Sequence, residues 1–314
     1  MSATTAAPPT GPEKNKSGLS TRTTVIIVLV GYLVFTIAIA LIFGSAGKDD
    51  EYKPQNEFQL DTWIALPGPF DINKGVLYVL LATILTIVTM LYISKRMQQR
   101  PNRVQTLVEM AFSLMRDNIT NGNMEDRMAK KWFPFIATVF LFIWFSNMIG
   151  YIPLPTNTEE KIDILGVGIP AFALYAATAN LSIPLVLALV VWIAYNIEGV
   201  RHHGFIGYLK KLVPPGVPGW LKGPIFVLEA ISNFMRLISL SVRLFANILA
   251  GHLIILFMSG ALVVLLGVVA VGVVTLPLGV AIYIFEVGLV ATLQAFIFAT
   301  LAAIYLGEAA SEGH

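Results

Sequence analysis

A chain of 314 residues in which the apolar types make up 56% and the charged types only 13%, with a mean hydropathy of +0.74, has too few charges to coat a soluble surface of that size. The near balance of 21 Lys and Arg against 19 Asp and Glu excludes a strongly basic nucleic-acid binder. The absence of Cys excludes disulfides, thiol catalysis and Cys-ligated metals. A lipid bilayer is therefore the expected solvent. The four His (His202, His203, His252, His314) show no metal-like spacing beyond one adjacent pair, and no cofactor is expected.

Residues 1–24 are rich in Ala, Pro, Thr and Ser, carry Lys14, Lys16 and Arg22, and show no apolar periodicity. They predict a disordered head. Val25–Phe43 follows without a charge. It is longer than the 7–15 residues of a signal-peptide core, and so predicts a retained anchor helix, with cleavage near Ala40 or Ala46 as the alternative. Residues 45–75 then form an external loop. Further uncharged apolar stretches are Val76–Ser94, Trp132–Ile152 and Pro170–Ile197, followed by two longer blocks, Gly223–Met258 and Ala261–Leu306. Pro277 and Gly279 mark a kink in the second block.

These long continuous runs predict an all-α integral membrane protein with about six membrane-embedded helices; a β-barrel would show short alternating segments instead. Between the spans, Val104, Leu107, Val108, Ala111, Phe112 and Met115 fall at helical spacing and predict an amphipathic helix on the membrane surface.

Lys and Arg in the short loops set the orientation. Segment 45–75 has three basic residues (Lys48, Lys53, Lys74) against six acids, whereas 95–131 has eight basic residues; segment 153–169 has only Lys161, whereas 198–222 has Arg201, Lys210, Lys211 and Lys222. The alternation puts the N-terminus inside. With six crossings it also returns the C-terminal tail, 308–314, to the cytoplasm.

Only four charges lie inside the last two apolar blocks: Glu229, Arg236, Arg243 and Glu286. Intramembrane charges cost a few kcal/mol or more, so a functional reading is the default. For Glu229 and Arg236, snorkelling to the interface is an equal alternative. Arg243 is different. The 36 residues of Gly223–Met258 make a helix of about 54 Å, against a hydrocarbon core of about 30 Å. An unbroken helix must tilt by roughly 55°, beyond the common range of about 0–40°, and it carries Arg243 near the membrane centre. Glu229, Arg236 and Arg243 are seven apart and share a face that Asn247 extends, while Ala246, Ala250 and Gly251 permit close helix approach. A guanidinium stays charged at every accessible pH, so this face requires water or a carboxylate. Glu286 in a static pair is one candidate.

The run Ser239–His252, with its core Arg243–Leu244–Phe245–Ala246–Asn247–Ile248–Leu249–Ala250–Gly251, closely resembles subunit a of the rotary F-type ATP synthase membrane sector. Leu293–Phe298 with Tyr305 is similar to that family's last helix, Asn147–Pro153 to its Asn-x-x-Gly-x-x-Pro element, and Thr178–Leu181 to its Thr-Ala-Asp-Leu element. The similarity spans residues 76–307. It leaves 25–75 as an added anchor and loop.

The resemblance implies a stator in a bacterial inner membrane that conducts H⁺, with Na⁺ as the alternative ion, and has no catalytic turnover of its own. Its implied partners are the c-subunit ring, the peripheral-stalk b subunits and the rest of the ATP synthase. Arg243 is then the arginine that faces the ring carboxylate. Asn247, His252, Glu286 and Gln294 resemble residues of an outer half-channel, and Glu229 one of an inner. Asn147, Asn180 and Arg236 are further candidates for the lining.

Three positions depart from the family pattern. His252 stands where some relatives have an acid, and Asn180 where the element usually has Asp. Glu286 and Gln294 are eight residues apart instead of seven, an offset that a π-bulge near Gly288 would absorb. A competing reading from another class is a self-contained secondary transporter with Arg243 and Glu286 as its coupling pair.

Overall fold

The computed structural model describes residues 21–43, 60, 62–64, 72–96, 102–164, 167–214, 216–261 and 269–311. Among these, six helices are long and apolar enough to cross a membrane. The added anchor, α1 (Thr21–Phe43), already begins within the stretch expected to be disordered; residues 1–20 of that head lie outside the described residues. Next come α2 (Lys74–Arg96), α3 (Arg103–Ser113), α4 (Asp126–Gly150), α5 (Ser182–His203), the short α6 (Phe205–Lys211), α7 (Lys222–Leu256), α8 (Val269–Phe285) and α9 (Ala291–Ala310).

α3 carries the expected amphipathic pattern. Asn102 caps it by accepting from the Gln105 N–H at 2.8 Å, satisfying one of the orphan donors of the first turn. Phe112 stacks edge-on with Phe133 of α4 at 5.0 Å, while Leu107 and Met110 stay exposed.

The core is built around α4 and α9, with α2 and α5 packed against them and α7 packed on α5. Ala291, Ala295, Ala299, Ala302 and Ala303 of α9 are fully buried. These small residues let backbones approach closely where lipid supplies no hydrophobic drive between helices. α1 is peripheral: it packs on α8, and Tyr32 donates a hydrogen bond to the Val273 carbonyl. α5 and α6 are parted by Gly204, whose φ of 72° lies in the left-handed region that glycine adopts freely.

Two expectations are corrected. The stretch expected to start a span at Pro170 instead begins in an antiparallel hairpin, β1 (Leu154–Ile164) with β2 (Val167–Ala173), paired from Leu154↔Ala173 to Ile164↔Val167. Helix starts only at Ser182, after the turn Ala177–Ala179. Apolar composition alone cannot tell a buried strand from a span, and Pro170 cannot supply the N–H that a helix interior needs. The second correction is at the C-terminus. Glu308, expected in a tail, is still in α9, which runs to Ala310.

Candidate functional site

α7 is the axis of the site. Its 35 residues extend about 52 Å. Leu237, Leu240, Ser241, Leu244, Ile248, Gly251, His252 and Ile255 form its buried face, at the 3–4 residue spacing of a helix packed along one side. Arg243, Val242, Ala246, Asn247 and Ala250 are exposed on the other. Among the described residues Arg243 makes no ion pair; the pairs found there are Lys131–Glu198 at 2.5 Å and Arg236–Glu308 at 2.6 Å. Arg243 and Glu286 are thus not joined in a static pair.

A polar cluster lies toward one end of α7. His252 is buried, with Nδ1 3.1 Å from the Ile248 carbonyl and Nε2 3.1 Å from the Gly150 carbonyl. A neutral imidazole has one N–H for these two acceptors, so a proton finds a partner at either nitrogen. Glu286 is also buried, and accepts from the Tyr151 hydroxyl at 3.1 Å. Its seat is provided by Gly251, where a Cβ would overlap the Glu286 carboxyl.

Asn147 is fixed from both sides. It donates to the Ala291 carbonyl at 3.2 Å and accepts from the Thr178 hydroxyl at 2.7 Å. Gln294 is buried in the same helix as Ala291. Residues Glu286–Val290 form a π-helical turn, which takes up one extra residue. Glu286 and Gln294 are both buried despite their spacing of eight.

The second cluster lies toward the basic end, around a cleft of about 260 Å³ lined by Glu229, Asn233, Arg236, Tyr195, Tyr208, Lys211 and Glu308. Arg236 donates to Glu308 at 2.6 Å and lies 4.9 Å from the Tyr305 ring centroid. It is therefore held by α9. Asn233 donates to Asn196 at 3.0 Å and accepts from the Tyr195 hydroxyl, and Tyr208 donates to Asn196 at 2.8 Å.

Lys211 donates to the carbonyls of Glu308 at 2.8 Å, Ala309 at 3.3 Å and Ser311 at 2.5 Å, so a cation caps the negative end of α9. Burial pulls the Lys211 ammonium below its ordinary value, and Glu308 partly offsets this. Burial raises the Tyr208 hydroxyl, with Arg236 opposing.

Of the sequence candidates, the fold thus gathers Asn147, His252 and Glu286 in one cluster, with Gln294 on the adjoining helix, and Glu229 with Arg236 in the other. Arg243 and Asn247 belong to neither and face outward. Asn180 accepts from the Ser182 N–H at 3.0 Å and so starts α5. Along α7, Arg243 is about 10 Å beyond Arg236 and about 14 Å short of His252, at 1.5 Å per residue. Sequence reasoning missed Tyr151, Tyr195, Asn196, Tyr208, Lys211 and Glu308. Glu308 was signalled by its spacing of three from Tyr305, which is one helical turn.

A family model described as the ATP synthase A chain matches residues 76–307. The chain is 35% identical over 244 residues to ATP synthase subunit a of Maricaulis maris (strain MCS10), covering 76% of this chain and 88% of that protein. It is 35% identical over 273 residues to the subunit a of Acidiphilium cryptum (strain JF-5), covering 85% and 91%. It is 34% identical over 268 residues to that of Brucella ovis (strain ATCC 25840 / 63/290 / NCTC 10512), covering 83% and 98%. A match of this extent, on six apolar helices, identifies a multi-pass membrane protein that belongs to the ATP synthase A chain family.

Proposed function

We propose that the chain is the ion-conducting stator of a rotary ATP synthase in a bacterial inner membrane, with both termini cytoplasmic. It has no catalytic turnover and works against a ring of c subunits, held by peripheral-stalk b subunits. The outer half-channel runs through Asn147, His252, Glu286 and Gln294, and the inner one through the cleft at Glu229. The ion is H⁺, as suits a path of imidazole, carboxyl and amide groups. One observation carries the reading: Arg243 stands without an acid partner among the described residues, on a face lined by Ala246, Asn247 and Ala250, and along α7 it falls between the cluster at Arg236 and the cluster at His252. A fixed cation exposed beside small residues is what a close-packed, moving carboxylate requires, and it repels hydronium passing directly from one cluster to the other.

Two experiments test this. Reconstituted alone in liposomes, the chain is expected to give negligible proton flux, whereas the same chain assembled with its c ring conducts. Substantial coupled flux from the isolated chain would favour a self-contained transporter. The second concerns His252. Its replacement by Ala is expected to slow conduction about a hundredfold, at the lower end of the range for a lost positioned acid–base group, while ATP hydrolysis and pumping stay coupled. An unchanged rate in vesicle acidification removes His252 from the path.

A further inference from the structure

Tyr151 follows the last residue of α4 and is buried to 1% exposure, and none of the roles above uses it. Three contacts hold it. Its hydroxyl donates to Glu286 Oε2 at 3.1 Å, its carbonyl accepts from the Tyr283 hydroxyl at 2.6 Å, and its ring centroid lies 4.7 Å from that of His252. Tyr283 and Glu286 are three apart, so one face of the α8 end grips both the backbone and the side chain of a single residue. The Gly150 carbonyl that meets His252 Nε2 belongs to the preceding peptide. Tyr151 therefore joins the acid that follows α8 to the imidazole on α7, from the end of α4.

We infer that Tyr151 is a positioning residue of the outer proton path, holding the Glu286 carboxyl in the Gly251 seat and the His252 ring beside it. This rests on the function proposed above. The titratable groups around the Glu286 carboxyl are Tyr151 from α4, His252 next to Gly251 on α7, and Tyr283 on its own helix. Tyr151 is the one hydrogen-bond donor to the Glu286 carboxyl among the described residues, and a buried carboxylate depends on such a donor both for its direction and for the ease with which it ionises. Tyr151→Phe keeps the ring against His252 and removes only the donor.

The test compares wild type, Tyr151→Phe, Glu286→Gln and the double variant, each as the whole ATP synthase in inverted membrane vesicles. ATP-driven acidification is read with a pH-sensitive dye over a series of lumenal pH values. Tyr151→Phe is expected to lower the pumping rate about tenfold, as for a lost hydrogen bond to a charged group, and to move the acid limb of the profile to higher pH, because the donor favours the ionised carboxylate. The double variant is expected to be no slower than Glu286→Gln alone, since the hydroxyl acts through that carboxyl. Where Tyr151→Phe lowers the yield of complex, rates are taken per c ring that co-purifies, so that the comparison still reads the hydroxyl alone.

A wild-type rate and profile in Tyr151→Phe, with Glu286→Gln slow, overturns the inference and leaves the proposed path standing. A slow Tyr151→Phe with an unshifted profile, or a double variant slower than Glu286→Gln, overturns it also, because the hydroxyl would then act elsewhere. Wild-type pumping by Glu286→Gln removes Glu286 from the path and the inference with it.

Discussion

Replacing Arg243 by Ala is expected to abolish ATP-driven proton pumping by the assembled complex while leaving assembly intact. The side chain is exposed and has no partner among the described residues of its own chain, so its removal leaves no cavity and no buried acid. On the stator reading, what is lost is an interaction with the ring. A fixed cation about 4 Å from a carboxylate, at an effective dielectric of about 20, favours the ionised form by roughly 4 kcal/mol, about three pKa units. A membrane potential supplies about 2.3 kcal/mol per charge per 100 mV. On the stator reading, the local term is thus large enough to strip a proton from an arriving ring carboxylate and is of the same order as the driving force.

Without that term, deprotonation at the stator slows by about a thousandfold, at 1.36 kcal/mol per decade, and the barrier between the two half-channels is gone. Arg243→Lys is expected to fail as well, because an ammonium on a flexible stem does not replace a planar, permanently charged group. Acidification of inverted vesicles, read beside co-purification of the c ring, checks both variants. Full coupled pumping by Arg243→Ala would end the stator role assigned to it.

Gly251→Ala is the second large effect. A Cβ at this position would overlap the Glu286 carboxyl, and the carboxyl must swing away from the Tyr151 hydroxyl to make room. Misplacing a reacting group by about 1 Å costs on the order of a hundredfold, and pumping is expected to fall by about that factor with the complex assembled. Gly223→Ala, on the same helix with open space around the site of the added methyl, is expected to pump at the wild-type rate. Equal rates for the two variants would show that the seat has no bearing on conduction.

The membrane architecture was legible because lipid imposes long uncharged runs, and four charges inside such runs stand out without any structure. The face of α7 bearing Arg243 and Asn247 followed from spacing alone. The hairpin Leu154–Ala173 did not, since its strands include apolar residues that continue into α5 without a break in composition. The Glu286–Gln294 spacing gave an arithmetical hint, an offset of one residue, which the π turn Glu286–Val290 takes up. Tyr151 gave none. Its partner lies 135 residues away, and a Tyr at the end of an apolar run looks like any interfacial aromatic. The same holds for Arg236, whose partner Glu308 is 72 residues away.

A rotor driven round by ion flow pushes back on whatever holds it still. On the stator reading, that reaction force enters at the exposed face of α7, a long rod that would bend if it were fastened at one point. It is not so fastened. Arg236 ties the rod to α9 through Glu308, Lys211 clamps the end of α9 to α6 through three carbonyls, and Asn233 links the rod sideways to Tyr195 and Asn196 of α5. Torque arriving at one helix is therefore shared among four, and these cross-ties stiffen the mount against elastic yielding.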